Sequence, residues 1–202
     1  MRRFAVLACL TAWCPAVLHA QEGRWSGAFA AGYGEGAGHA FDGKGALWTT
    51  AAGLLALSPT VRGGIELGYH RFNSTVSLIP DAYGPGSLIR EDFRRSFWQA
   101  SATVRIRVGA GRWRPYGGSG LGAYLVHVHD HIRTQDASGA EIPGLQFDQK
   151  TTEVKPGAHL VLGLERAGLL GRAGLGLHAR WDGILAGGLG SVLSAGVVVT
   201  LD

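Results

Sequence analysis

The sequence predicts an all-β fold: an eight-stranded antiparallel up-and-down transmembrane barrel. Three observations carry that expectation. Short segments alternate apolar residues with Gly, Ser or charge at a two-residue period, which puts opposite chemistry on the two faces of a strand. The clearest sets Val61, Gly63, Ile65, Leu67 and Tyr69 against Arg62, Gly64, Glu66, Gly68 and His70. Glycine supplies 33 of 202 residues, well above the usual ~7% and without the triplet period of collagen. At that level it weakens helices by about 1 kcal/mol per interior site and suits curved sheets and crowded barrel interiors. Finally, the N-terminus reads as an export leader.

Met1-Arg2-Arg3 is a short basic segment, Phe4 to Leu18 is mostly apolar, and Leu18-His19-Ala20 precedes a cut at Gln21. Residues 1–20 therefore read as a signal peptide and 21–202 as the outer-membrane barrel domain. Trp13 stands where a lipoprotein signal needs a small residue, so Cys14 is not a lipidation site. Both cysteines, Cys9 and Cys14, fall in the leader. The mature chain then has no disulfide, thiolate nucleophile or cysteine metal site. Losing Arg2 and Arg3 from 19 Lys+Arg leaves 17 against 15 Asp+Glu. That near-balance excludes a nucleic-acid stripe. About 180 mature residues suit one domain.

Eight strands are expected, at roughly 24–34, 45–56, 61–72, 92–108, 115–128, 151–165, 172–182 and 191–201. In the fourth, Trp98, Ala100, Ala102, Val104, Ile106 and Val108 share one face, with Gln99, Ser101, Thr103, Arg105 and Arg107 on the other. In the sixth, Val154, Ala158, Leu160, Leu162 and Leu164 oppose Glu153, Lys155, Gly157, His159 and Glu165. Val161 falls on its mixed face, and Pro156 suggests a late start or a bulge. The seventh sets Ala173, Leu175, Leu177, Ala179 and Trp181 against Arg172, Gly174, Gly176, His178 and Arg180. Gly183 to Leu201 is uncharged and long enough for a membrane helix. Its glycines and the alternation of Leu193, Ala195, Val197, Val199 and Leu201 make it a loop followed by the eighth strand.

Connections separate a membrane barrel from a soluble sandwich. Ser58-Pro59-Thr60, Gly109 to Arg114 and Ala167 to Gly171 are short, whereas 73–91 and 129–150 are long and polar, with shorter segments near 35–44 and 183–190. Short turns at one end and long loops at the other mark outer-membrane barrels. Both termini lie at the short-turn end, so the long loops face outward. Gly118, Gly120 and Gly122 share one face of the fifth strand, as a narrow interior requires. Trp25, Trp98 and Trp181 lie in the apolar phase, where an interfacial girdle places them.

The stretch Pro115-Tyr116-Gly117-Gly118-Ser119-Gly120-Leu121-Gly122-Ala123-Tyr124 resembles a strand common in the small eight-stranded outer-membrane barrels of the OmpA transmembrane-domain and OmpX type. The resemblance covers essentially all of the mature chain, although this chain ends in Thr200-Leu201-Asp202 where members usually end in an aromatic residue. It implies a bacterial outer-membrane location.

The mixed faces nominate a lumen charge network of Glu66, Arg105, Arg107, Glu153, Lys155, His159, Glu165, His178 and Arg180. Inside a narrow barrel both signs must pair, because an unpaired buried charge is costly. The expectation is a plugged, salt-bridged lumen. His127-Val128-His129-Asp130-His131 puts three imidazoles on one strand face, a candidate zinc or copper site at His127, His129 and His131. Neither a His-x-Ser pair on one strand face nor a Gly-x-Ser-x-Gly elbow is present, so no catalytic residues are nominated. The expected role is non-enzymatic and without cofactor: a monomer in outer-membrane lipid, with a structural or surface-interaction role, whose outer loops contact extracellular ligands or proteins, and which does not bind nucleic acid. The alternatives are a lipid A-modifying outer-membrane enzyme and a soluble exported barrel binding an apolar ligand.

Overall fold

The computed structural model describes residues 25–37, 45–109, 111–170, 172–185 and 189–201; the expected signal peptide lies outside them. The strands are β1 (Trp25–Ala37), β2 (Gly45–Ala56), β3 (Val61–Phe72), β4 (Thr75–Pro80), β5 (Leu88–Arg107), β6 (Trp113–Gln135), β7 (Phe147–Leu170), β8 (Ala173–Leu185) and β9 (Leu189–Leu201). Every neighbouring pair is antiparallel. The order β3-β2-β1-β9-β8-β7-β6-β5 closes through β3–β5, giving a ring of eight. Closure matters because a strand edge in lipid would leave backbone donors and acceptors unsatisfied. The register Gly27↔Leu201 joins the first strand to the last and puts the start of β1 and the end of β9 together on the short-turn side.

The orientation of the two faces is inverted relative to a water-soluble protein. Ile65 is 67% exposed and Leu177 is 69% exposed, while their neighbours Glu66 and His178 are buried. A soluble sandwich buries the apolar phase; lipid reverses the arrangement. Trp25, Trp98 and Trp113 also point outward and are more than half exposed. Among the described residues, no helix is long and apolar enough to cross a membrane.

Two apolar layers fill the interior. Ala28, Ala30, Ala52, Leu54, Tyr116, Val161 and Val198 form one with Trp48; Ala46, Phe72, Phe97, Tyr124, Val126, Ile184 and Val192 form the other, nearer the outer end. Val161, the apolar residue out of phase in its strand, therefore belongs to the core. Glycines admit the larger side chains. A Cβ at Gly163 would collide with the Tyr116 ring, and one at Gly120 would collide with the His159 ring and stand 2.6 Å from the Ala102 carbonyl oxygen.

Three expectations are corrected. The segments 73–91 and 129–150 are about half strand, with turns only at 81–87 and 136–146: β4 pairs with the outer part of β5, and β5, β6 and β7 run on together well past the ring. Above the lipid nothing demands an apolar face, so alternation fades although the backbone ladder continues. Ser58-Pro59-Thr60 does form a short turn, with Ser58 Oγ accepting the Val61 amide at 3.0 Å, but Ala167 to Leu170 belongs to β7. Pro156 marks neither a start nor a bulge. It opposes Ala123 in an unbroken β6–β7 ladder, one residue beyond the last β7–β8 pair among the described residues, Gly157↔Ile184.

Candidate functional site

Two constellations stand out, one inside the ring and one on the outer face of the strands that outrun it. The inner one arises because residues two apart on a strand share a face, and eight strands turn those faces to one axis. Glu66 on β3 accepts from Arg105 Nη2 on β5 at 2.6 Å and from Arg180 Nη1 on β8. Arg180 also makes a bidentate pair with Asp182, Nε to Oδ2 and Nη2 to Oδ1, both 2.7 Å, and donates to Gln99 Oε1 at 2.6 Å. Bidentate Arg–carboxylate pairs are among the stronger hydrogen-bonded contacts. Nearer the termini, Arg107 Nη2 meets Glu165 Oε1 at 2.8 Å. Three guanidiniums thus face three carboxylates.

Histidines and phenols line the same volume. His159 Nδ1 lies 3.0 Å from Gln99 Nε2 and its Nε2 lies 3.3 Å from Thr103 Oγ1. Tyr116 Oη and His178 Nδ1 are 2.7 Å apart, and Tyr124 donates to Asp182 Oδ1 at 3.0 Å. His70 stacks on Phe97 with ring centroids 4.2 Å apart. Trp48, Phe97, Tyr124 and Arg180 are each under 2% exposed, so side chains occupy the axis.

Of the nominated lumen residues, Glu66, Arg105, Arg107, His159, Glu165, His178 and Arg180 lie in this interior. Glu153 and Lys155 do not join it. They pair with each other at 2.6 Å on the inward phase of β7, but above the last β7–β8 pair, where among the described residues β7 is flanked by β6 alone. Sequence reasoning placed His70 on a mixed face but did not nominate Asp182, Gln99 or Tyr124. Asp182 had a usable signal: it continues the His178, Arg180 phase by one more step.

On the outer face, His127, His129 and His131 share a strand side as expected but do not converge. His127 Nδ1 meets Thr152 Oγ1 at 2.9 Å. His129, His131 and Asp148 instead bring three potential ligand atoms within 4.8 Å of one another. His129 Nε2 donates to Asp148 Oδ1 at 2.6 Å, and Arg133 Nε donates to His131 Nε2 at 2.5 Å. The His129 hydrogen bond is the first cause holding the Asp148 carboxyl below its ordinary value of 3.8. Arg90, Arg94 and Arg133 border the same cavity of about 400 Å³, as does Asp92, with which Arg94 pairs at 3.2 Å. Three ligand atoms beside three guanidiniums are a weaker cation site than a closed four-ligand set.

No protein-family model matches the chain, and no curated protein matches it in sequence. Among solved structures it is similar to Neisserial surface protein A, with 14% identity and a TM-score of 0.52, over 87% of this chain and 95% of that one. It is also similar to the N-terminal barrel domain of Pseudomonas aeruginosa OprF, with 13% identity and a TM-score of 0.45, over 90% and 100% of the two chains. For the outer membrane enzyme PagL the figures are 10% identity and a TM-score of 0.46, over 88% and 98%. At such identities likeness bears on fold alone, and the first of the three carries it.

Proposed function

We propose that this chain, which has the fold of the small eight-stranded outer-membrane barrels, resides in the bacterial outer membrane as a non-conducting barrel whose outward sheet is a contact surface for extracellular ligands or proteins. The observation that carries this reading is the contrast between a ring filled by paired charges and aromatic rings and a sheet of β4, β5, β6 and β7 extending beyond it. A filled, charge-compensated axis leaves no aqueous path of the width a general porin has. The outward sheet has Val76, Leu78, Ile79, Tyr83 and Phe147 exposed; single apolar residues are unremarkable, but together with ordered strands they offer area for a partner.

The role is accordingly structural or adhesive rather than catalytic. Planar-bilayer recording of the refolded protein should give no stable conductance at the level of a general porin. Replacing residues 129–150 with a short turn should leave the barrel heat-modifiable on gels while abolishing its binding to host-surface or extracellular-matrix arrays. A porin-like conductance would overturn the plugged lumen, and undiminished binding by the trimmed barrel would overturn the contact surface.

A further inference from the structure

The lipid-facing side of the strands does not turn neutral where the aromatic level ends. Tyr69 and Trp98 lie opposite each other in register, with ring centroids 4.5 Å apart, and Trp98 is the last apolar outward residue of β5 before Ser96 and Arg94. Interfacial aromatic residues of this kind mark headgroup level. One outward position above them lie Arg71 on β3 and His127 on β6, and one further lie Arg94 on β5, His129 on β6 and Lys150 on β7, joined by register as Arg71↔Ser96, Ser96↔His127, Arg94↔His129 and His129↔Lys150. These residues and Arg95 line one concavity of about 700 Å³, bounded by Tyr69 below and by Leu47 opposite Arg71 in register, and among the described residues no carboxylate lines it; His129 also donates to Asp148 at the neighbouring cavity. Arg94 also reaches Asp92 at 3.2 Å, at the neighbouring cavity.

We infer that this groove binds the phosphate groups of an outer-leaflet glycolipid. The inference rests on the membrane reading proposed above and deepens it. Charge and height together select this occupant. Arginine forks match phosphate oxygens in pairs and lysine adds a point charge. Cations just outside the hydrocarbon attract anionic headgroups, and their effect fades within a Debye length. The apolar floor at Tyr69 faces the acyl region, with Leu47 beside Arg71 at its upper edge, while the cationic wall faces the headgroups. A soluble anion would use the wall and ignore the floor.

The experiment uses the full barrel in nanodiscs of phosphatidylcholine doped with either bisphosphorylated or dephosphorylated lipid A, with bound lipid read by native mass spectrometry. The wild type should retain the bisphosphorylated form and release the dephosphorylated one. Arg71→Gln/Arg94→Gln/Lys150→Gln should weaken retention about a hundredfold, the loss of three surface cations. Arg112→Gln/Arg172→Gln, at the short-turn end, should retain it. Equal retention of both lipids, or by the triple variant, would overturn the inference, as would full displacement by inorganic phosphate. A wild-type chain that never forms a heat-modifiable barrel in the bilayer overturns the membrane reading instead, and the groove with it.

Discussion

The interior at the level of Arg180 and the sheet above the ring are built from the same β strands, yet they treat charge in opposite ways. Inside, eight strands enclose Glu66 and Asp182 from every side, and each acid meets arginine in a fixed geometry. Above, Glu153 and Lys155 form an equally short pair at 2.6 Å, with Glu153 half exposed. Distance alone does not set the value of an ion pair; enclosure does. Water solvates the upper pair when it breaks, whereas nothing replaces Arg180 beside two buried carboxylates.

The largest expected effect follows from that contrast. Arg180→Ala should destabilise the folded barrel by about 3–5 kcal/mol, because it strands Glu66 and Asp182 together. Lys155→Ala should cost under about 1 kcal/mol. Urea unfolding of the two variants in vesicles checks the pair, and similar losses would show that enclosure is not what separates the regions. A middling effect is expected at Gly120→Val, where the added atoms meet the His159 ring and the Ala102 carbonyl. Overpacking there should cost about 1–3 kcal/mol by the same assay. A tolerated valine would mean that the interior is looser than its contacts indicate.

The smallest effect belongs to the upper region. Asp148 is held below 3.8, first by the His129 hydrogen bond. A carboxyl lowered on folding contributes stability that is fully present above its unfolded value and is lost as pH falls through the folded one. The His129–Asp148 contact should therefore persist from neutrality to about pH 4 and weaken below it. Carbon-detected NMR titration should give an Asp148 midpoint below 3.8 that rises in His129→Ala. No movement on that substitution would break the assigned cause.

These two regions were also unequally legible. Ring strands such as β3, β8 and β9 were read close to their observed limits, because lipid on one side and a packed axis on the other enforce alternation at every step. The outer parts of β5, β6 and β7 were read as loops because both of their faces meet water. The phase of a strand gives the direction of Glu66, Arg105, His159, His178 and Arg180, which all point to the axis, since phase is a local property. For Glu153 and Lys155, which pair with each other above the last β7–β8 pair, phase says which way a side chain points but not how far the enclosing ring extends. The histidine cluster shows a related limit. His127, His129 and His131 share a face, but the partner that organises two of them, Asp148, comes from the next strand.

The amino-acid order alone thus settles the strand faces, the near-neutral inventory of charges and the glycines that make room for large rings, all of which depend on a two-residue period along one chain. Only the tertiary structure decides which acid meets which base, how far the ladder outruns the ring, and where cations from β3, β5, β6 and β7 gather above Trp98. Those outcomes depend on ring closure and on register between strands, which bring together residues as far apart in the chain as Glu66 and Arg180.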